Sequence, residues 1–314
     1  MNNYGSYASY FIDTSTPFDQ QMCMFDDTRT WQQYFLQAAI TNYENVTAIW
    51  QEARLAGFQL SQEDQDYLDE LDGQITVAAA SYSYGSADEY LQMAYGPAAT
   101  LTSYHAFVER QITASAYLQV LVDEKPYTED DISKYYDDNA DSYAGNGIEK
   151  SDVKMVNVRH ILIQPEGKND DGTYTDEAWA EAEKKANDLL TEWQNGEHTE
   201  DSFAFMAAEN SQDPGSVENG GLYEDIYPGK MVDEFDAWCF DLARQPGDTG
   251  IVKTSYGYHI MYFSSTGEHA YWYVRAEEDY LNELSVSVLQ EVAAKFEVTE
   301  SEQNAAIVDI MQQN

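Results

Sequence analysis

Few side chains in this 314-residue sequence could carry out metal or covalent chemistry. Five histidines are present, and no two have the spacing of zinc ligands: His105, His160, His198, His259 and His269. The two cysteines, Cys23 and Cys239, form no Cys-x-x-Cys pair, and a single bridge between them is left open but disfavoured. There is no glycine-rich phosphate loop and no Gly-x-Ser-x-Gly motif. The sequence therefore predicts neither a metal nor a cofactor.

The residues that remain also have ordinary structural interpretations. A single histidine on a strand, such as His160, is more often a packed core residue than a reactive one. Asp213 precedes Pro214-Gly215, where an aspartate commonly supports a turn. Met231 and Phe235 are four residues apart, which is the spacing of a helix face in a core. Taken one at a time, these residues do not indicate a site.

The composition is strongly acidic and excludes some classes of partner. With 16 Lys+Arg against 57 Asp+Glu, the formal net charge is −41, and the excess is spread along the whole chain. Such a field repels phosphates, so it argues against binding of nucleic acid or stable docking on an anionic membrane surface. Hydrophobic residues make up 43% of the chain, with 25 tyrosines, which predicts a folded core and argues against an acidic disordered chain.

The sequence shows no segment that would span a membrane or direct secretion. The longest uncharged run, 90–108, is interrupted by Gly96-Pro97 and several polar residues, so it does not predict a membrane span. Residues 1–25 have no basic start and no apolar run, so no signal peptide is predicted there. We expect any targeting segment or lipid anchor to lie outside this chain.

The N-terminal part is predicted to be helical. Residues 1–27 lack periodicity and predict a flexible arm, and 28–152 form the first part of a helical domain. The first helix has apolar residues three or four apart and stops at Gly57: Trp31, Phe35, Ala39, Tyr43, Val46, Trp50 and Ala53. Further helices are predicted after Ser61, after Ser86, from Pro97 and after Thr128.

The pattern changes at residue 153. Residues 153–163, 251–254 and 258–263 are typical of strands, and helices are predicted near 178–193, 203–208 and 232–242. Gly220-Gly221 and Pro228-Gly229 mark a loop. The order is β-α-α-β-α-β-β, so 153–267 is a small α+β domain. The final segment, 268–314, predicts a helix that packs on the N-terminal helices, and 153–267 is then an insertion in an all-helical, chaperone-like domain.

One block of motifs resembles a known family. It runs from Val158-Arg-His160 through Phe203 to Asp213, the pair Gly220-Gly221 and Met231 to Phe235, and it ends at Val252-Lys-Thr254 and His259-Ile260. This ordered set resembles the parvulin family of peptidyl-prolyl cis/trans isomerases. The helical flanks resemble the secretion foldases of the PrsA and SurA type. The resemblance implies a small antiparallel sheet surrounded by helices.

The resemblance also implies site residues. The catalytic positions of the family fall on His160, Asp213, Thr254 and His259. The proline-binding positions fall on Tyr223, Met231 and Phe235. Where parvulins usually have Gly-Gly-Asp-Leu-Gly, this chain has Gly220-Gly221-Leu-Tyr-Glu, so Tyr223 takes the place of a leucine. We therefore expect a pocket of altered size.

The function implied is isomerisation of X-Pro bonds in unfolded or partly folded polypeptides, combined with chaperone activity for secreted or surface proteins. Rotation of a planar amide breaks no bond, so the implied catalysis needs only a pocket that favours the twisted amide. The alternative is a holdase chaperone whose parvulin domain only binds client chains. The resemblance implies an extracytoplasmic location, with a membrane contact only through an anchor beyond this chain, and leaves a homodimer open.

Overall fold

The computed structural model describes residues 11–13, 15–167, 169 and 172–296. These form two compact units. One unit comprises the described residues up to Pro126 and from Leu281 onward, and the other is Tyr127–Tyr280. Within the described residues, no helix is long and apolar enough to cross a membrane. The mixed helical and antiparallel-strand architecture confirms the predicted α+β class.

The first unit is mainly helical. It contains a short hairpin followed by four helices and the end of a fifth: β1 (Met22–Cys23), β2 (Asp26–Thr30), α1 (Trp31–Ala56), α2 (Gln62–Ser81), α3 (Ala87–Tyr95), α4 (Leu101–Asp123) and α10 (Tyr271–Ala293). Ile49 of α1, Ala114 of α4 and Val292 of α10 share one buried cluster. Lys125 pairs with Glu291 at 2.9 Å beside it. The end of α10 thus packs on the N-terminal helices within this unit.

Local caps explain most helix boundaries. Thr30 accepts the amide of Gln33 in a capping box, and Gly57 ends α1 in the left-handed region at φ +69°. One predicted start is wrong. The helix expected from Pro97 begins at Leu101, because Thr100 and Ser103 cap each other there. Pro97 lies in the preceding turn.

Part of the segment predicted to be a flexible arm is ordered. Residues 1–10 and 14 lie outside the described residues. Ile12 and Cys23 are buried against Trp31, and the ring of Phe25 meets the Trp31 ring edge-on at 5.5 Å. The aromatic start of α1 therefore has a partner in the hairpin that precedes it. Cys23 and Cys239 are both free and buried, so the disfavoured bridge is not formed.

The second unit is built on one four-stranded antiparallel sheet. The strands are β3 (Lys154–Ile163), β4 (Leu222–Ile226), β5 (Thr249–Lys253) and β6 (Tyr258–Ala270), in the order β4-β3-β6-β5. Its helices are α5 (Glu129–Asp138), α6 (Ala140–Gly145), α7 (Asp176–Asn195), α8 (Glu200–Asn210) and α9 (Asp233–Cys239). From residue 154 onward this is the predicted order of elements. Gly220-Gly221 and Pro228-Gly229, which were expected to mark a loop, lie on either side of the strand β4.

Both faces of the sheet are buried. Successive side chains along a strand point to opposite faces. Ile161 and Ile260 face α7 and α8 in a cluster that includes Phe203. Val158 and Met261 face the opposite way, into a cluster that includes α9. His160 lies two residues from Val158, so it belongs to the α9 face.

The unit also includes residues ahead of the sheet. Ile132 and Tyr136 of α5 pack with Tyr143 against Tyr273 and Ala276 at the start of α10. These contacts place the division between the units after residues 126 and 280. The sheet begins at Lys154 and ends at Ala270, near the changes of sequence period at 153 and 267, whereas α5 and α10 bury their apolar faces against each other beyond those points.

Candidate active site

Strand pairing places the two imidazoles side by side on the α9 face. His160 of β3 lies opposite Met261 of β6, and His259 lies opposite Leu162, so the histidines form a diagonal pair. Their Nδ1 atoms are 3.0 Å apart, and the rings are 5.1 Å apart and nearly parallel. The residues are only 2% and 6% exposed. A register shift of one residue would separate them onto opposite faces.

Asp213 reaches the histidine pair because the chain after α8 follows the end of β3. Ser211 Oγ accepts the amide of Leu162 at 3.1 Å, and the Gln212 amide donates to the Leu162 carbonyl at 2.9 Å. Asp213 Oδ2 then lies 2.9 Å from His160 Nε2. The sheet edge thus fixes a carboxylate 53 positions away from its histidine.

Three donors converge on this single carboxylate oxygen. The Ser216 hydroxyl donates to Asp213 Oδ2 at 2.6 Å, the Tyr223 hydroxyl at 2.9 Å, and His160 Nε2 completes the set. The hydrogen bond from His160 is the main cause that holds the pKa of Asp213 well below its ordinary 3.8, with Ser216 and Tyr223 adding to it against the effect of burial. Asp213 is therefore an ionised acceptor at neutral pH.

Thr254 closes the other end of the network. It lies in the turn between β5 and β6, where its amide donates to the Gly257 carbonyl at 2.9 Å. Its Oγ1 is 2.8 Å from His259 Nε2 and accepts the Tyr256 amide at 3.1 Å. Thr254 Oγ1 thus connects the imidazole of His259 to the backbone of this turn.

The partners fix one proton of this chain of groups. Because ionised Asp213 can only accept, His160 Nε2 carries a hydrogen. One of the two facing Nδ1 atoms then donates to the other. Burial, followed by the proximity of His160, lowers the pKa of His259 from 6.5 to about 4, so His259 is neutral at neutral pH.

A pH-dependent loss of stability should follow from His259. Its folded pKa lies below its unfolded value, so the unfolded chain binds a proton first as the pH falls from 6.5 to 4. Stability is therefore full above pH 6.5, and about 3 kcal/mol is lost across this window. Asp213 acts in a different range, because its lowered pKa stabilises the fold above 3.8 and that contribution is lost at lower pH.

Urea unfolding at several pH values would measure this loss. His259→Ala should be less stable at neutral pH but should lose much less on acidification. A replacement of the exposed His198, which lies outside the network, should keep the full loss. An unchanged acid response in His259→Ala would show that other groups cause it.

An apolar surface adjoins the histidines. The Phe235 ring of α9 meets both imidazoles edge-on, at 5.4 Å from each. Tyr223 of β4 stacks on His160 at 5.2 Å, and Met231 packs against the same cluster as Phe235. Burial, then the hydrogen bond to Asp213, raises the pKa of Tyr223 to about 12, so its hydroxyl stays protonated and donates. All seven residues expected at the site lie in this one region.

Three residues that the sequence did not single out support the arrangement. Ser216 is 1% exposed and contacts both His160 and Asp213. Arg159 binds Glu200 at 2.9 Å and the carbonyls of Asn219 and Gly220 at 3.0 Å each, which anchors the turn before β4. A side chain at Gly215 would lie 2.7 Å from the Tyr223 hydroxyl. For these three residues the sequence offered one signal, which is the position of Ser216 three residues after Asp213.

Comparisons with known proteins identify the domain that contains these residues. Residues 146–265 match a family model described as the PPIC-type PPIASE domain. The chain contains a parvulin-type peptidyl-prolyl isomerase domain. This confirms the resemblance expected from the motifs, and it covers β3 to most of β6.

Curated relatives match over the same region. Foldase protein PrsA 1 of Listeria innocua is 32% identical over 106 residues, which is 34% of this chain and 29% of that protein. Foldase protein PrsA of Geobacillus kaustophilus is 30% identical over 141 residues, or 45% of this chain and 37% of that protein. The matches thus span about a third of the relatives' length. The crystal structure of PrsA from Bacillus subtilis aligns over 91% of this chain and 96% of that one, with 18% identity and a TM-score of 0.38.

Proposed function

We propose that this protein is a peptidyl-prolyl cis/trans isomerase and chaperone, a foldase that acts on secreted or surface proteins outside the cytoplasm. The observation that carries the isomerase is the direct contact between an apolar ring surface and a buried hydrogen-bond network. Phe235 touches both imidazoles, and His160 leads to an ionised Asp213. The matched domain model supports the same activity.

The roles follow from the chemistry of amide rotation. Resonance gives the X-Pro bond a barrier of about 18–20 kcal/mol, and the twisted amide is less charge-separated than the planar one. An apolar pocket formed by Met231, Phe235 and the ring of Tyr223 would therefore favour the twisted form. His160, Asp213, Thr254 and His259 would fix the pocket and the orientation of the substrate carbonyl. No nucleophile or general base is required.

A pocket substitution tests the isomerase. Met231→Ala should lower kcat/KM on a short Ala-Pro peptide about tenfold, because the apolar contact it removes is worth roughly 1.5 kcal/mol. The matched control is Met93→Ala, in which an exposed methionine of α3 is replaced without effect on turnover. Isomerisation can be followed by nuclear magnetic resonance exchange. Absent activity in the unmodified chain would rule out the isomerase, and equal activity in both variants would rule out this pocket.

The clients of the chaperone half would be unfolded or partly folded polypeptides with X-Pro bonds. The holdase alternative predicts that the chain slows aggregation of an unfolded client without isomerising it. We therefore pair the two measurements on one protein. An inactive chain that still suppresses aggregation would favour the holdase. Sedimentation velocity would decide whether the protein is a homodimer.

A further inference from the structure

The helical unit carries a cluster of tyrosines on α2, α3 and α4 and on the turn after α2. We call these six residues the tyrosine cluster: Tyr67, Tyr82, Tyr84, Tyr90, Tyr95 and Tyr104. Tyr82 and Tyr84 both pack on Tyr90, with ring centres 5.9 and 5.5 Å away, and Tyr95 stacks on Tyr104 at 5.4 Å. The pKa of Tyr104 is raised to about 12, first by burial and then by Tyr95, with Tyr67 and Tyr90 also contributing. Ring contacts thus join Tyr82, Tyr84 and Tyr90 in one group and Tyr95 with Tyr104 in a second, and Tyr67 and Tyr90 lie near enough to Tyr104 to affect its pKa.

This cluster presents a large aromatic surface to solvent. Tyr82 is 69% exposed, Tyr95 64% and Tyr67 46%. Met93 and Phe107 lie one helical turn beyond Tyr90 and Tyr104, and they are 74% and 46% exposed. Clustered exposed aromatic surface of this kind marks interaction sites in soluble proteins. Tyrosine also offers rigid contact area at a small entropic cost together with a hydroxyl for hydrogen bonds.

The charge around the cluster has one sign. Residues 55–109 contain nine Asp and Glu and no Lys or Arg. Most of the acids lie on α2 around Tyr67, where Glu63 and Glu70 are one turn away on either side and exposed. Across the described residues, no α2 carboxylate pairs with a Lys or Arg, and Asp72 contacts His105 Nδ1 at 2.9 Å. The carboxylates of this face thus have no lysine or arginine partner of their own.

Elsewhere in the same protein, cations occupy aromatic rings. Side-chain cations lie 4.0 to 5.6 Å from ring centres at Arg54, Arg110, Lys150, Lys230, Arg244 and Lys253. Over the described residues, no Lys or Arg lies over a ring of the tyrosine cluster. The faces of these rings attract cations, and the nearby carboxylates strengthen that attraction. The cluster therefore lacks the cations that its surface favours.

We propose that the tyrosine cluster is a docking surface for extended segments of unfolded polypeptide that contain lysine and arginine. Charge complementarity selects this occupant, because the rings and the carboxylates both attract cations and no side-chain cation of residues 55–109 satisfies them. A second copy of this chain is disfavoured by a net charge of −41. The proposal rests on the chaperone half of the proposed function and names a surface and a client chemistry for it.

The test uses the full chain and a short fluorescent peptide of alternating lysine and serine, which has no proline and cannot be an isomerase substrate. Binding is measured by anisotropy at low and high salt. We expect the chain to bind the lysine peptide, and we expect this binding to weaken at high salt because salt screens the charges. We expect no binding to a peptide of alternating glutamate and serine. Equal binding of the two peptides would overturn the proposal.

Substitutions at the most exposed rings separate aromatic from apolar contact. The double variant Tyr82→Leu/Tyr95→Leu keeps apolar area but loses two ring faces, and it should bind about tenfold more weakly. Tyr82→Phe/Tyr95→Phe keeps the ring faces and should bind as the unmodified chain does. Both should retain isomerase activity. Unchanged affinity in the leucine variant, or dimerisation that this variant abolishes, would overturn the proposal.

A second pair of variants tests whether the lysine peptide binds through the acids beside the tyrosine cluster or through the negative charge of the whole protein. Neutralising Asp66, Asp69 and Glu70 on α2 should weaken binding, whereas neutralising three exposed acids of α7, Glu177, Glu181 and Glu183, should not. Equal loss in both would overturn the assignment of the surface. If the lysine peptide binds as described but the chain fails to slow aggregation of unfolded clients, the chaperone half of the proposed function fails and the docking surface stands.

Discussion

Alanine in place of Asp213 should lower the isomerase kcat/KM by about 100-fold, the largest loss of activity that we expect from one substitution in the site. The carboxylate accepts hydrogen bonds from His160, Ser216 and Tyr223. At about 1 kcal/mol per bond, losing three destabilises the arranged site by about 3 kcal/mol. Without the acceptor, His160 also loses the partner that holds its proton on Nε2.

Conservative variants provide the controls for this prediction. Tyr223→Phe removes one of the three donors and keeps the ring that stacks on His160, so its kcat/KM should fall only about fivefold. Near-ultraviolet circular dichroism checks that each variant remains folded. A folded Asp213→Ala protein with activity within a few-fold of the unmodified chain would show that the network does not position the site.

Tyr223 stands where parvulins usually have leucine. Comparing the kcat/KM of Tyr223→Phe with that of Tyr223→Leu would show what the tyrosine contributes. Phenylalanine loses the hydrogen bond to Asp213, and leucine loses the ring stacked on His160 as well. Gly215 leaves the space that the hydroxyl occupies, since a side chain there would lie 2.7 Å from it. We therefore expect Tyr223 to have two effects. Its ring alters the size of the pocket, and its hydroxyl donates a hydrogen bond to Asp213.

Signals close in sequence predicted most of the helices. Thr128 caps the amide of Asp131, and Ser61 caps that of Asp64, so both starts depend on residues within one turn. The error at Pro97 has a non-local cause in part. The Leu101 amide at the true start donates to the Asp88 carboxylate of α3 at 2.7 Å, a contact across 13 positions. No local pattern contains that information.

The candidate active site depends on contacts between distant parts of the sequence more than the helix starts do. His160 and His259 meet because of the β3–β6 register across 99 positions, and their predicted proximity came from the family resemblance alone. Ser216 was missed because a serine after a Pro-Gly turn is common, and its burial against His160 depends on the fold around it. The predicted order includes a strand before α9 without a range, because Gly220-Gly221 and Pro228-Gly229 indicate a loop there, whereas Gly221 is required by close backbone approach.

That approach is closest at Gly221, immediately before β4. Its φ is +75°, and its carbonyl accepts the amide of His160 at 2.8 Å. A Cβ at this position would lie 2.2 Å from the His160 carbonyl oxygen and 3.0 Å from Ala207 Cβ. Both neighbours belong to packed elements, β3 and α8, so neither can move aside without disturbing the strand that carries the histidine.

Gly221→Ala should therefore destabilise the sheet unit by about 4 kcal/mol, since left-handed strain of about 1–2 kcal/mol adds to an overpacking cost of about 1–3 kcal/mol. Gly229→Ala is the matched control, because Gly229 has a φ of +87° but nothing within 4 Å of a Cβ. It should lose only the strain energy. Thermal unfolding of the full chain, followed by isomerase activity and near-ultraviolet circular dichroism, measures both. Equal losses in the two variants would contradict the close packing of Gly221 on β3, and with it the way in which the β4 turn supports His160.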